Sequence, residues 1–268
     1  MATGTIIAAT DLTPLSREVP ERALALAPRL AARVVLVHAV PEGSSPARIA
    51  QAEAALATAL QGRDAQARVL VGPPDTAIRE VCLAEGGALV LLGLHRFQRV
   101  RDVLRLTTME RIVLRAPVPV LIAHTPTVQA YRTVLSSTDF APACAAALAA
   151  AARIAEPDAE FHALHALHLG LRDKFGHGSI EDSRAMTSAR AMCRAFLSMP
   201  GVPARLHPPE IVPGGVHEVL SFRLEELRPD LLAIGTHSGR DPLTLGNYAR
   251  DLMREPPTDV IVAKPPPS

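Results

Sequence analysis

The sequence predicts an α/β fold made of two tandem domains, each with a five-stranded parallel sheet of the doubly wound type. Two observations lead to this prediction. Short apolar runs rich in β-branched residues alternate with helical stretches along the chain. In addition, a pattern of strand, polar loop, helix and strand occurs twice, at 88–124 and at 231–264. In each domain we expect the strand order 3-2-1-4-5, with ligands bound at the carboxyl ends of the strands.

The first half shows the alternation most clearly. Its apolar runs predict five strands, at 6–9, 34–40, 67–71, 89–92 and 118–123. Between them, apolar spacing and cap residues predict helices at 21–32, at 46–62 and at 107–114, with one more helix capped by Asp75. Pro28 is expected to kink the first of these helices.

Short motifs of the first half recur in the second. Thr10-Asp11 is repeated by Thr138-Asp139, His38 by His165, and Gly93 by Gly235. The spacing between equivalent motifs widens after the second strand, which places a mobile insertion at about 170–184. We therefore predict domains at 1–127 and 128–268. Because the link between them is short, the two halves are expected to pack together as an internal pseudo-dimer.

Composition excludes several functional classes. The chain has 28 basic and 27 acidic residues, and only 3% of its residues are aromatic, so no affinity for nucleic acid is expected. Its 3 cysteines form no CxxC motif, which favours a reducing compartment. No stretch resembles a signal peptide or a membrane span. A cytoplasmic protein that binds neither nucleic acid nor membrane is predicted.

The order and duplication of these motifs resemble the universal stress protein family in its tandem, two-domain form. Besides the motifs above, the run that begins at Pro117 is similar to the Pro-Val-Leu ending of the family. The resemblance covers nearly the whole chain. It implies an α/β sandwich in each half, with the two fifth strands meeting between the halves, and a role in the stress response.

Some members of this family bind ATP through Gly-x-x-Gly, nine residues, and then Gly-Ser or Gly-Thr. The first loop of this chain has the spacing but not the residues, because Arg96 and Leu106 stand where two glycines are expected. The second loop has Ser238 in place of a glycine and reaches Gly246-Asn247 two residues early. The candidate ligand residues are Asp11, Gly93, Arg96 and Thr107 in the first half, and Asp139, Gly235, Ser238, Gly246 and Asn247 in the second. We expect ATP to bind weakly or not at all.

Each of these residues also has a purely structural interpretation. Asp11 and Asp139 could satisfy backbone amides at a strand end, and Thr107 with Glu110 forms the pattern of a helix capping box. The arginines of the first loop could hold an anion or could simply be solvated. His162, His165 and His168 alternate between the two sides of a strand, so we predict no metal site from them.

The resemblance implies a non-enzymatic binding or interaction module without a cofactor and without catalytic residues. The expected partner is an unidentified protein or small ligand, and a homodimer of the chain is a further option. The alternative is an ATP-binding member with slow ATPase or autophosphorylation activity. A third hypothesis, an enzyme of another class on the same architecture, lacks a set of converging catalytic residues.

Overall fold

A computed structural model describes residues 4–94, 106–125, 130–169, 179–236 and 245–265. The α/β class is confirmed, because strands and helices alternate along the described chain. The chain divides into two compact units, Met1–Gln129 with Met253–Val262, and Ala130–Leu252 with Ala263–Ser268. The segment that ends the second sequence repeat therefore belongs mostly to the first unit.

The described residues form ten strands and eight α-helices. The strands are β1 (Gly4–Ala9), β2 (Ala32–Val40), β3 (Gln66–Val71), β4 (Gly87–Gly93), β5 (Val120–Ala123), β6 (Thr133–Ser137), β7 (Glu160–Leu167), β8 (Glu210–Pro213), β9 (Leu231–Gly235) and β10 (Asp259–Ala263). The helices are α1 (Val19–Leu26), α2 (Pro46–Leu60), α3 (Pro74–Ala84), α4 (Thr108–Arg115), α5 (Pro142–Ile154), α6 (Arg184–Leu197), α7 (Val216–Leu227) and α8 (Asn247–Arg254).

In the first unit the sheet has the order β3-β2-β1-β4-β5-β10. Its first five strands are parallel and follow the predicted order 3-2-1-4-5. β10 then pairs antiparallel with β5, with Ile261 opposite Leu121. The prediction that the two fifth strands meet is confirmed by this pairing. Both side chains are fully buried, as expected for an edge that another strand covers.

In the second unit β8, β7, β6 and β9 form parallel pairs in that order. β6 lies inside this sheet, and its middle residues Val134, Leu135 and Ser136 have no exposed surface. The last residue of β10, Ala263, clusters with this unit, where its carbonyl oxygen accepts a hydrogen bond from the Thr236 N–H at 3.0 Å.

Three local predictions need correction or lie outside the described chain. α1 ends at Leu26, so the helix stops before Pro28 and is not kinked by it. Asp75 lies inside the first turn of α3, where its buried carboxylate is 2.7 Å from Arg115, and Pro73 is the N-cap residue. Most of the predicted insertion at 170–184 lies outside the described residues, and its described end forms a 3-10 helix, Ile180–Asp182.

Candidate functional site

A cavity of about 200 Å³ opens at the carboxyl ends of the strands in the first unit. Asp11 follows β1 at this cavity, His38 extends from β2, and Gly93 ends β4. The opposite wall is apolar, because α3 contributes Ile78 and α4 contributes Met109. The structure thus brings Asp11 and Gly93 to one cavity, at the position where ligands bind in open parallel sheets.

Asp11 shapes the rim of this cavity. Its Oδ1 accepts hydrogen bonds from the Thr13 N–H at 3.0 Å, the Thr13 hydroxyl at 2.7 Å and the Ser16 hydroxyl at 2.6 Å. These contacts hold the turn between β1 and the 3-10 helix Pro14–Ser16. At least one oxygen of Asp11 therefore has the structural role that the sequence offered as an alternative.

The residue after each of the two strand-end aspartates adopts a left-handed backbone. Leu12 has φ 61° and Phe140 has φ 64°. In each case a threonine hydroxyl two residues earlier accepts a hydrogen bond from the N–H of that residue: Thr10 from Leu12 at 3.0 Å, and Thr138 from Phe140 at 2.8 Å. A positive φ costs a residue with a Cβ about 1–2 kcal/mol. Its occurrence at both positions shows that the duplication extends to turn geometry.

A histidine supports each of these turns from the neighbouring strand. His38 Nδ1 donates to the Thr10 carbonyl oxygen at 2.9 Å, and His165 Nδ1 donates to that of Thr138 at 2.8 Å. Because a carbonyl oxygen can only accept, Nδ1 carries a proton in each of these rings. The equivalent histidines seen in the sequence therefore hold equivalent loops in the two units.

Thr107 and Glu110 close the capping box that their spacing predicts at the start of α4. Thr107 Oγ1 accepts from the Glu110 N–H at 3.1 Å, and Glu110 Oε2 accepts from the Thr107 N–H at 2.6 Å. The Glu110 side chain is fully buried, and its Oε1 lies 3.0 Å from Arg254 Nε. A helix N-terminus attracts an anion through its N–H groups and its dipole. Here the protein's own carboxylate already occupies that end of α4.

The second unit has a cavity of about 210 Å³ at the equivalent position. Asp139 follows β6, His165 extends from β7, Gly235 ends β9 and Gly246 precedes α8 around it. The structure therefore brings three of the predicted residues of the second half, Asp139, Gly235 and Gly246, to one cavity. Asn247 is the first residue of α8.

Two reactive side chains that sequence patterns did not single out also line this second cavity, Cys144 of α5 and Tyr248 of α8. Cys144 Sγ donates to Asp139 Oδ1 at 3.3 Å. Burial raises the pKa of the Cys144 thiol to about 11, and the Asp139 carboxylate adds to the rise. Burial also raises the pKa of Tyr248, against the opposing effect of the Ser137 hydroxyl. At neutral pH both groups are protonated donors.

Gly235 and Gly246, at the two ends of the second loop, have different roles. A Cβ added at Gly235 would lie 2.8 Å from the Cβ of Ala143 and 3.0 Å from the Cys144 nitrogen, so glycine lets β9 approach α5. A Cβ added at Gly246 would meet no described atom within 4 Å. The Gly246 N–H donates to the Thr236 carbonyl oxygen at 3.1 Å. The backbone amide that the sequence suggested for a phosphate is therefore already hydrogen-bonded.

Several predicted loop residues lie outside the described parts of the chain. They are the candidate ligand residues Arg96 and Ser238 and the other arginines of the first loop, Arg99, Arg101 and Arg105. Leu106, which stands where a glycine is expected, is described and is 38% exposed. The spatial relation of Arg96 and Ser238 to the cavities stays a prediction.

The structure also gathers a group that sequence reasoning missed. Glu160, His162 and His207 each offer a side-chain donor atom, and these atoms lie within 4.8 Å of one another. Burial lowers the pKa of His162, and His207 adds to the effect. Local spacing relates His162 only to His165 and His168. No spacing rule could have found His207, because it meets His162 through the fold.

The fold and the paired cavities define a class of protein, a tandem doubly wound α/β protein with a cavity at the strand ends of each repeat. The model of the universal stress protein family matches residues 3–124 and again residues 130–264. The chain belongs to the universal stress protein family, with two copies of its domain in tandem.

Solved structures of similar fold cover the whole chain. A universal stress protein from Archaeoglobus fulgidus is 17% identical, with 99% of this chain and 100% of that chain covered and a TM-score of 0.69. A putative universal stress protein from Pseudomonas aeruginosa is 19% identical, with 97% and 93% covered and a TM-score of 0.62. At these identities the similarity establishes the fold. No curated protein matches the sequence.

None of the described helices combines the length and the apolar character that crossing a membrane requires.

Proposed function

We propose that this chain is a non-enzymatic, cytoplasmic ligand-binding and interaction module of the stress response, and that neither cavity binds ATP tightly. The observation that carries the proposal is the buried carboxylate of Glu110 at the N-terminus of α4. In an ATP-binding arrangement this position would receive phosphate oxygens. Here a phosphate would meet an N–H and a hydroxyl that are already bonded, beside a carboxylate that is itself paired with Arg254.

The second cavity supports the same proposal by a different route. The Gly246 amide is hydrogen-bonded to Thr236, so it cannot bind a phosphate oxygen without a local rearrangement. A hydrogen bond to a charged group stabilises a complex by about 1.5–3 kcal/mol. If a ligand forms two fewer of these hydrogen bonds, its dissociation constant rises from the micromolar toward the millimolar range.

The chemistry of the cavities favours binding over catalysis. With a pKa of about 11, the Cys144 thiol is almost entirely protonated at neutral pH, and the thiolate is the nucleophilic form. His38 and His165 use Nδ1 to hold their loops. These side chains position the walls of the cavities, and they do not form a nucleophile with its base.

Cavity size and lining indicate the ligand class. Volumes of about 200 and 210 Å³ are below the roughly 300–1,000 Å³ typical of sites for drug-sized ligands. In the first unit, Ile78, Met109 and Ile112 line the cavity together with Asp11 and Thr10. We therefore propose that this cavity takes a small, mostly apolar molecule with a hydrogen-bond donor directed at the strand ends.

An assay with ATP labelled on its γ-phosphate tests the non-enzymatic role. We expect neither phosphate release above the buffer rate nor label on the protein. A double variant, Asp11→Ala with Asp139→Ala, separates intrinsic activity from a contaminating ATPase. Phosphate release or labelling that scales with protein concentration and disappears in this variant would instead support the ATPase or autophosphorylating alternative.

A further inference from the structure

We propose that Glu160, His162 and His207 of the second unit bind a divalent transition metal ion of the zinc class, at a site separate from both strand-end cavities. Two imidazoles and one carboxylate are a ligand set that Zn²⁺ accepts, with water in the fourth position. The donor atoms of the three side chains lie within 4.8 Å of one another. Imidazole ligands favour zinc, copper or nickel over magnesium and calcium, which prefer oxygen.

Backbone pairing holds the two histidines side by side. His162 lies in β7, and the segment before β8 runs parallel to it, with Leu206 bridged to Phe161. The His207 N–H donates to the Phe161 carbonyl oxygen at 2.8 Å. The two imidazole rings are consequently stacked, with centroids 4.6 Å apart and planes 9° from parallel. The fold itself, rather than a flexible loop end, places His207 beside His162.

One donor atom of the group is buried and lacks a hydrogen bond. His162 Nε2 is inaccessible to solvent and has no hydrogen-bond partner among the described residues. Its nearest acidic atom, Glu160 Oε2, lies at 3.6 Å, which is beyond hydrogen-bond distance. A buried polar atom without a hydrogen-bond partner destabilises the fold, and a metal ion bonded to the ring nitrogen would remove that cost.

Small side-chain movements would complete the site. Bonds of about 2.0–2.1 Å in a tetrahedron bring donor atoms to roughly 3.3 Å from each other, so donor atoms that lie up to 4.8 Å apart must close in by as much as about 1.5 Å. His207 is exposed and the Glu160 side chain is 67% exposed, so both can turn toward His162. The parallel rings must tilt, since a metal lies in the plane of each imidazole.

The neighbouring charges are compatible with a cation. Arg223 of α7 is one positive group near His162. It is ion-paired to Glu210 and also to Glu226 at 2.6 Å, so its charge is balanced locally. With its carboxylate, Glu160 gives the three ligands a net negative charge when both histidines are neutral.

The test is a titration of the purified full chain, without a polyhistidine tag, with Co²⁺ as a visible probe and Zn²⁺ as competitor. Three variants are compared with the wild type: His207→Ala, Glu160→Gln and, as a control, His168→Ala. His168 is an exposed histidine just beyond the same strand and is not among the three ligands. None of the three positions is in the core, so the variants are expected to fold.

The wild type should bind one equivalent of Co²⁺ with visible absorption bands that Zn²⁺ removes. His207→Ala and Glu160→Gln should each weaken binding at least about tenfold, and His168→Ala should leave it unchanged. The proposal is overturned if the wild type binds neither ion with a dissociation constant below about 100 µM. It is equally overturned if His207→Ala binds as the wild type does, or if His168→Ala weakens binding as much as His207→Ala.

Discussion

The Arg22 guanidinium lies 2.7 Å from the Asp259 carboxylate, with the two side chains only 1% and 0% exposed. Both residues belong to the first unit, although Asp259 comes from the second sequence repeat. Asp259 Oδ1 also accepts the backbone N–H groups of His124 and Thr125, each at 2.8 Å. This pair thus anchors the first residue of β10 beside the end of β5.

Removing either partner should leave a buried charge without its counterion. We expect Asp259→Ala and Arg22→Met each to lower the free energy of unfolding by about 3–5 kcal/mol. The double variant should lose less unfolding free energy than the two single variants lose together. Urea denaturation measures the unfolding free energy of all three variants. As a control, Arg63→Ala removes an exposed pair with Glu21 and should cost less than about 1 kcal/mol. Equal effects for Arg22 and Arg63 would contradict the role of the buried pair.

The pairing of β5 with β10 predicts a second effect on stability. Leu121 is fully buried and opposite Ile261, so Leu121→Asp would bury a carboxylate without a partner. We expect the free energy of unfolding to fall by at least about 4 kcal/mol, or the chain not to fold. Val71→Asp, at a strand position that is 55% exposed, should change it little. An unchanged melting temperature in Leu121→Asp would show that this edge is open to solvent.

Much of this fold is readable from sequence, because parallel strands that are covered on both faces form continuous β-branched runs. The runs of β2 and β5 locate those strands closely, and the rule for strand ends places Asp11 beside Gly93. Long-range side-chain pairs are not readable in this way. Glu110 contacts Arg254, and Arg22 contacts Asp259, only in the folded chain. For the same reason local spacing cannot relate His162 to His207.

Gly235 and Gly246, at the two ends of the second loop, allow a matched comparison. Gly235→Ala places a Cβ within 3.0 Å of α5 backbone atoms and should lower the free energy of unfolding by about 1–3 kcal/mol. Gly246→Ala meets no described atom within 4 Å and should change it by less than about 0.5 kcal/mol. Thermal denaturation of the two variants distinguishes them. If Gly246→Ala were the more damaging change, the packing described for this loop would be wrong.

The buried thiol of Cys144 predicts a loss of stability in alkaline solution. Its pKa rises from the usual 9.0 to about 11 in the folded state, mainly through burial. Between these two pH values the folded chain keeps a proton that the unfolded chain loses. The contribution of the Cys144 thiol to the free energy of unfolding is therefore complete below pH 9 and is lost as pH rises toward about 11. Between pH 9 and pH 11 this thiol lowers the free energy of unfolding by at most about 1.4 kcal/mol per pH unit.

Cys144→Ala supplies the comparison for this pH dependence. The difference in unfolding free energy between the variant and the wild type should be constant below pH 8 and should shrink above pH 9. Denaturation at a series of pH values measures it. A difference that stays constant up to pH 11 would mean that the thiol is not buried as described.

Glu110 and the hydrogen-bonded amide of Gly246 are expected to leave no tight site for a nucleoside triphosphate. Calorimetric titration of the purified chain with ATP and Mg²⁺ tests this most directly, with Glu110→Gln as the matched variant. Glutamine can keep the capping hydrogen bond but removes both the negative charge and the ion pair with Arg254, so any residual affinity should be higher in this variant, and thermal denaturation checks that it stays folded. We predict that the wild type shows no saturable binding tighter than about 1 mM, whereas a dissociation constant of about 10 µM or tighter would contradict the proposed function.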